Sequence, residues 1–176
     1  MTRESIAPQG GLQAQFEALA QRLLVEMQGV YGESLTSLVV FGSVGRGTPT
    51  RDSDIDILII AKDLPAGRMP RVRQFEEVER RLEPDLQRAR TCGLCTLLSP
   101  VFRTEEEMRL GGLIFLDMVH DAKVLLDRHA FFHSFIQRLE DKLVEMKSVR
   151  VRRAGTWYWV LKPDLKPGEV FEIWTT

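Results

Sequence analysis

Phe16, Leu19, Leu23, Met27 and Val30 recur at the three-and-four spacing of one helical face, and Gly32 supplies a stop, so the pattern predicts a helix over residues 12–31. The period then changes. Ser37 to Phe41 is a short apolar run ending at Gly42, and Asp54 to Ile60 is a second run rich in β-branched residues; both read as buried strands. A helix is predicted to open at Pro70 with Val72, Phe75, Val78 and Leu82 as its buried stripe, and to kink or break at Pro84. Leu94 to Leu98 reads as a third strand. Thr104-Glu105-Glu106-Glu107 has the Thr-x-x-Glu spacing of a capping box and predicts a short helix. Leu113 to Val119 and Ala122 to Leu126 are continuous apolar stretches and read as extended. Phe132, Ile136, Leu139, Leu143 and Met146 mark a last long helix. Val149 to Arg153, Thr156 to Leu161 and Val170 to Trp174 complete the pattern as strands, separated by Ala154-Gly155 and Lys166-Pro167-Gly168.

These elements imply an α/β (α+β) fold, a mixed β-sheet flanked by helices with a small β-rich C-terminal extension. Residues 1–128 are expected to form the core and residues 129–176 an extension packed on it, within one compact domain. A chain of 176 residues suits a single domain, and 44% hydrophobic with 28% charged residues is a globular balance. A net charge of −1 gives no global electrostatic case for nucleic acid, so any such case must be local. No apolar run reaches the roughly 18–20 residues of a membrane span and no signal-peptide pattern opens the chain, so a cytoplasmic location without membrane contact is expected. Cys92 and Cys95 follow a helical segment and lead into an apolar one, without a second ligand pair for zinc; they read as two small packing residues.

The chemistry concentrates in residues 38–60. One strand runs into Gly42-Ser43, a turn carrying Gly45, Arg46 and Gly47 follows, and a second strand begins Asp54-Ile55-Asp56. Strand side chains alternate, so Asp54 and Asp56 share a face and Ile55 and Ile57 take the other. Two steps of about 3.3 Å separate the carboxylates by about 6–7 Å, a repulsion of about 2–3 kcal/mol at an effective dielectric near 20. A divalent cation removes that conflict, and magnesium favours carboxylate oxygens together with substrate phosphates. The turn offers backbone amides and the Ser43 hydroxyl to an anion, with glycines that let the phosphate come close. Arg46 adds positive charge or is simply solvated.

Residues 38–60 resemble the signature of the DNA polymerase β-like nucleotidyltransferase superfamily, in its minimal prokaryotic branch, which includes the small nucleotidyltransferases encoded beside HEPN proteins. The resemblance implies that Gly42, Ser43, Arg46 and Ser53 surround the nucleotide, that Asp54 and Asp56 are catalytic and bind Mg2+ or Mn2+, and that an NTP, expected to be ATP, is the substrate. It also implies a third acid on the following strand, yet Leu94-Cys95-Thr96-Leu97-Leu98 contains none. Asp117 is then the candidate third metal ligand, if its segment is a strand beside the first two; otherwise it is an edge carboxylate or an arginine's partner.

Two weaker signals remain. Arg128 and His133 have the Arg-x4-His spacing of HEPN ribonucleases, but those domains are all-helical and this segment lies in an α/β chain. Between residues 142 and 166, seven Lys or Arg stand against Glu145 and Asp164, with Trp157, Tyr158 and Trp159 among them. That mixture suits a nucleic-acid, nucleotide-base or protein contact, or else Trp157 and Trp159 share a strand face that closes the core. The leading expectation is metal-dependent transfer of a nucleoside monophosphate, AMP in the first place, to a hydroxyl with release of pyrophosphate. Its rival is a catalytically weak, antitoxin-like nucleotide-binding module that acts on a HEPN-type protein partner. An RNA-directed transferase has only the basic C-terminus in its favour.

Overall fold

The computed structural model describes residues 11–153 and 156–174. Helix α1 (Leu12–Tyr31) leads into β1 (Leu35–Phe41), a one-turn helix α2 (Gly42–Gly45) and β2 (Ile55–Ala61). Helix α3 (Arg68–Thr91), strand β3 (Leu98–Arg103) and helices α4 (Glu105–Arg109) and α5 (Ile114–Asp121) follow. Strand β4 (Lys123–Asp127), helix α6 (Phe131–Glu145) and the strands β5 (Val149–Arg153) and β6 (Thr156–Val160) complete the order.

The main sheet has the order β3-β2-β1-β4. Strand β1 is antiparallel to both β2 and β4, and β2 is parallel to β3, so the sheet is mixed as expected. Its two faces are both covered. Leu38, Val40, Ile55, Ile57 and Ile59 pack with Phe16, Leu23 and Met27 of α1 and Phe75, Val78 and Leu82 of α3. Val39, Leu58 and Ile60 point the other way, against Phe115 and Met118 of α5 and Phe132, Leu139 and Leu143 of α6. Burial on both faces explains why β1 and β2 read as continuous apolar runs instead of alternating ones.

Four expectations change, each for a physical reason. The 113–119 segment lies in helix α5 from Ile114 onward, because seven mostly apolar residues carry too little period to separate buried helix from buried strand. Its buried Phe115, Leu116, Met118 and Asp121 fall at helical spacing. The third strand begins at Leu98 and includes Pro100; it is an edge strand, the one setting in a sheet where a missing amide is tolerated. Helix α3 continues through Pro84 to Thr91. Val170 to Trp174 is irregular chain and not a strand. It nevertheless packs: Trp174 stacks on Phe135 at 6.1 Å and meets Phe115 edge-on. Gly111 makes room for that indole. Its φ is +68°, and a Cβ there would lie 2.0 Å from the Trp174 ring.

The capping box at α4 forms as its spacing requires, with the Thr104 hydroxyl accepting from the Glu107 amide. Glu107 also accepts two hydrogen bonds at 2.7 Å from Arg71 on α3, which joins the two helices at the edge of the sheet. At the far end of β4, the Asp127 carboxylate accepts from the Ser37 hydroxyl and from the Phe132 and His133 amides. It closes the first turn of α6 without being adjacent to it. Truncating Trp174 to Ala should cost about 3 kcal/mol, seen as a lower urea midpoint at an unchanged slope. An unchanged midpoint would show that the last segment is not part of the packed structure.

Candidate active site

Chain direction decides where the polar groups gather. The carboxyl end of β1 meets the amino ends of β2, β3 and β4, because Phe41 pairs with Asp56, Asp56 with Ser99 and Val40 with Lys123. The residue after β1 is Gly42, and the residue two before β4 is Asp121. Both arrive at the same end of the sheet as Asp54 and Asp56.

Asp56 belongs to the face of Leu58 and Ile60, and Asp54 precedes it by one strand repeat on the same side. Asp54 is exposed, and its Oδ1 accepts from the Leu97 amide at 3.2 Å, where the chain enters β3. Asp56 is half-buried, and burial raises its pKa above the ordinary carboxylate value. The Ser99 hydroxyl beside it acts in the opposite sense, and the Asp54 charge adds to the rise. Burial is thus the main cause of the rise, and the repulsion expected from the spacing is the smallest of the three contributions.

The turn abuts the carboxylate directly. Gly42 has φ +67°, and a Cβ on it would stand 2.2 Å from Asp56 Oδ2. Any side chain at this position would occupy the place of the carboxylate oxygen. Ser43 and Val44 lie in the first turn of α2, whose leading amides have no acceptor within the helix. Gly45 is tight from the other side, since a Cβ there would come within 2.3 Å of the Asp121 carbonyl oxygen and 2.7 Å of that of Val40. Two glycines thus let α2 fit between the Asp56 carboxylate and the end of α5.

Ser53 closes the loop that follows, accepting from the Thr50 amide at 2.8 Å. Arg46 donates to Asp121 Oδ2 at 2.6 Å and leaves 37% of its side chain exposed. Asp121 was not singled out by motif or spacing, yet it is the most connected carboxylate of this end. Its side chain is 4% exposed and is also gripped by both terminal nitrogens of Arg150, at 3.2 and 2.8 Å. Burial alone would raise its pKa, but the Arg150 and Arg46 hydrogen bonds outweigh it and hold the carboxyl below its ordinary range.

Asp117 is placed on helix α5, one turn before Asp121, and not on a strand. It accepts from Trp159 Nε1 at 3.1 Å and pairs with Arg150 at 3.4 Å. Among the described residues no group of three or more His, Cys, Asp or Glu side chains could hold a metal, so Asp117 does not join Asp54 and Asp56. The position opposite Asp56 on β3 is Ser99. The two carboxylates fit a hard divalent cation all the same, since they offer oxygen ligands only and lie one strand repeat apart on the same side.

The remaining candidates separate. Arg128 pairs with Glu33 and donates to the Gly32 carbonyl, on the far side of β1, and His133 is exposed. Cys92 and Cys95 are exposed and free, so they are not the packing residues expected. The basic aromatic segment forms a hairpin in which Arg150 faces Trp159 and Arg152 faces Trp157. Trp159 stacks on His120 at 5.7 Å and joins the core beside α5 and α6, whereas Trp157 is exposed and lies under the Arg150 guanidinium at 4.8 Å. The two tryptophans therefore divide the readings between them.

A strand–glycine turn–strand unit with two carboxylates facing the turn defines the nucleotidyl-transferring class of enzymes. The chain belongs to the nucleotidyltransferase domain family, whose sequence profile matches residues 24–158, and it is a nucleotidyltransferase. It is 25% identical over 129 residues to MJ1305 of Methanocaldococcus jannaschii, described as a candidate protein adenylyltransferase, covering 72% of this chain and 82% of that one. A toxin–antitoxin structure with AMP-PNP aligns at a TM-score of 0.43 and 18% identity, over 72% of this chain and 92% of the other. A variant of the toxin–antitoxin MntA-HpeT aligns at 0.42 and 18%, over 70% and 89%. These structural likenesses are too distant to carry an argument. Among the described residues no helix is long and apolar enough to cross a membrane.

The sign of the Asp56 shift gives a test. A carboxyl whose folded pKa lies above its unfolded value destabilises the native state once ionised, so this cost is absent in acid and complete above the folded pKa. In metal-free protein, Asp56→Asn should therefore raise the thermal midpoint at neutral pH, by an amount that shrinks as the pH falls into the ordinary carboxylate range. A lower midpoint at neutral pH would contradict the electrostatic reading.

Proposed function

We propose that this chain transfers AMP from ATP to a hydroxyl of a protein acceptor and releases pyrophosphate. The acceptor oxygen bonds to the α-phosphorus, the bond from that phosphorus to the β-phosphate oxygen breaks, and the hydroxyl proton is lost. The observation that carries the reading is the pressing of Gly42 against Asp56, which brings the glycine turn and the carboxylate to one strand end. In this reading Gly42 and Ser43 hold the triphosphate through backbone amides and hydroxyl, and Arg46 adds positive charge. Ser53 keeps the rim of the loop closed. Asp54 and Asp56 would hold Mg2+ or Mn2+, which supplies charge stabilisation at the phosphates and favours the attacking oxygen. Asp117 is left out of that ligand set because it is engaged by Trp159 and Arg150.

A protein acceptor is supported by the description of the archaeal relative as a candidate protein adenylyltransferase. A HEPN-family protein remains the partner to test first. The rival reading, nucleotide binding without turnover, draws on Ser99 standing opposite Asp56 where an acid was expected. The discriminating measurement is transfer of label from α-labelled ATP, with Mg2+ or Mn2+, to a co-encoded protein. The wild type should label the acceptor, and Asp54→Asn or Asp56→Asn should cut the rate by about a thousandfold, equivalent to about 4 kcal/mol. Binding of Mg2+–ATP by the wild type without transfer to any acceptor would instead establish the binding module.

A further inference from the structure

Asp121 lies outside every set of residues assigned so far, yet it connects three parts of the molecule. Its buried carboxylate accepts from Arg46, which follows the glycine turn, and from both terminal nitrogens of Arg150 on the C-terminal hairpin. Its backbone carbonyl presses on Gly45 closely enough that a Cβ there would stand 2.3 Å away. One residue thus fixes both the main chain of α2 and the arginine that leaves it.

Two guanidinium groups share the buried Asp121 carboxylate: Arg150, itself buried, which also pairs with the more exposed Asp117, and Arg46, which reaches it from the surface. An isolated arginine on a glycine-rich loop would hold about 2 kcal/mol of rotamer entropy, which a ligand would have to remove. Here one terminal nitrogen is already tied at 2.6 Å, while 37% of the side chain stays exposed. The remaining donors of Arg46 are free of that carboxylate and are pre-oriented.

We infer that Asp121 is a positioning residue that holds Arg46 beside the phosphate turn, so that the guanidinium meets the triphosphate without reorganising. The inference rests on the assignment of Gly42, Ser43 and Arg46 to the triphosphate. Arg150 acts behind Asp121: it keeps the carboxylate ionised and oriented, and makes the C-terminal hairpin part of the support of the nucleotide site. The depressed pKa of Asp121 agrees with that arrangement.

The test is a double-mutant cycle on affinity, with Mg2+–ATP titrated calorimetrically into wild type, Arg46→Gln, Asp121→Asn and the double variant. Asp121→Asn should weaken binding by about tenfold, or about 1.4 kcal/mol. Arg46→Gln should weaken it at least as much, and the double variant should bind like Arg46→Gln alone. The thermal loss caused by Asp121→Asn should persist in the Arg46→Gln background, because it arises from Arg150. A merely structural role would give the opposite pattern, with additive losses of affinity or none, and either result overturns the inference. If Asp121→Asn alone does not fold, Asp121→Asn with Arg150→Gln removes the unmatched buried cation. The tenfold loss is then measured against Arg150→Gln. Failure of wild type to bind Mg2+–ATP would overturn the nucleotide assignment itself, which separates that failure from the failure of the cycle.

Discussion

The approach of Gly42 to the Asp56 carboxylate is the constraint around which this end of the molecule is built. A backbone with φ +67° and no side chain is the form of chain that fits there, since a Cβ would sit 2.2 Å from the carboxylate oxygen. The contact depends on the pairing of Phe41 with Asp56, which depends in turn on the packing of β1 and β2 between two layers of helices. Slipping that pair by one residue would exchange the faces of β2, turning Asp56 toward α1 and α3 and Ile57 toward α5 and α6. The register of β2 therefore fixes the placement of the carboxylates as firmly as the fold.

Stability and function pull against each other in the same few residues. Asp56 is half-buried, opposite a serine and beside a second carboxylate, and its raised pKa marks an ionised group held at a cost. A native structure tolerates such a cost at a site where a ligand removes it. Asp121, also buried, shows the opposite balance: two arginines more than offset its loss of water. Two acids at one end of a sheet thus differ in their surroundings: Asp56 is buried beside a serine and a second carboxylate, and Asp121 beside two arginines.

The helix α1 stripe, strands β1 and β2, the capping box of α4 and the long helix α6 were legible because each carries several turns of one period or a fixed local spacing. Asp54, Asp56, Gly42 and Ser43 were legible for a related reason: they lie within 15 residues of one another, and strand alternation places them. Residues 113–121 were not legible. A short, mostly apolar stretch interrupted by Asp117 fits a buried strand and a buried helix alike, and the choice falls to packing between β3 and β4, which sequence spacing does not contain. That single ambiguity displaced Asp117 from a strand to a helix. It also hid Asp121, whose partners Arg46 and Arg150 are 75 and 29 residues away. Ser99 was missed because Pro100 lies inside β3, and a proline argues for a strand only when the edge position is known.

The tail of the chain illustrates why composition alone misassigns a basic aromatic segment. Its charge and tryptophans suggested either a nucleic-acid surface or a core, as if the segment had one role. Two residues on one face of β6 have different surroundings: Trp159 turns to Asp117 and His120 at the core, while Trp157, farther along the strand, stays at the surface under Arg150. Arg150 is what joins the two. Its side chain is 12% exposed and divides its charge between Asp121, Asp117 and the Trp157 ring, although its buried Nε finds no hydrogen-bond partner among the described residues. Removing either carboxylate would leave that cation less well paired. The hairpin cannot move without disturbing the carboxylate that holds Arg46. In the proposed arrangement the C-terminal hairpin is for that reason part of the support of the nucleotide site.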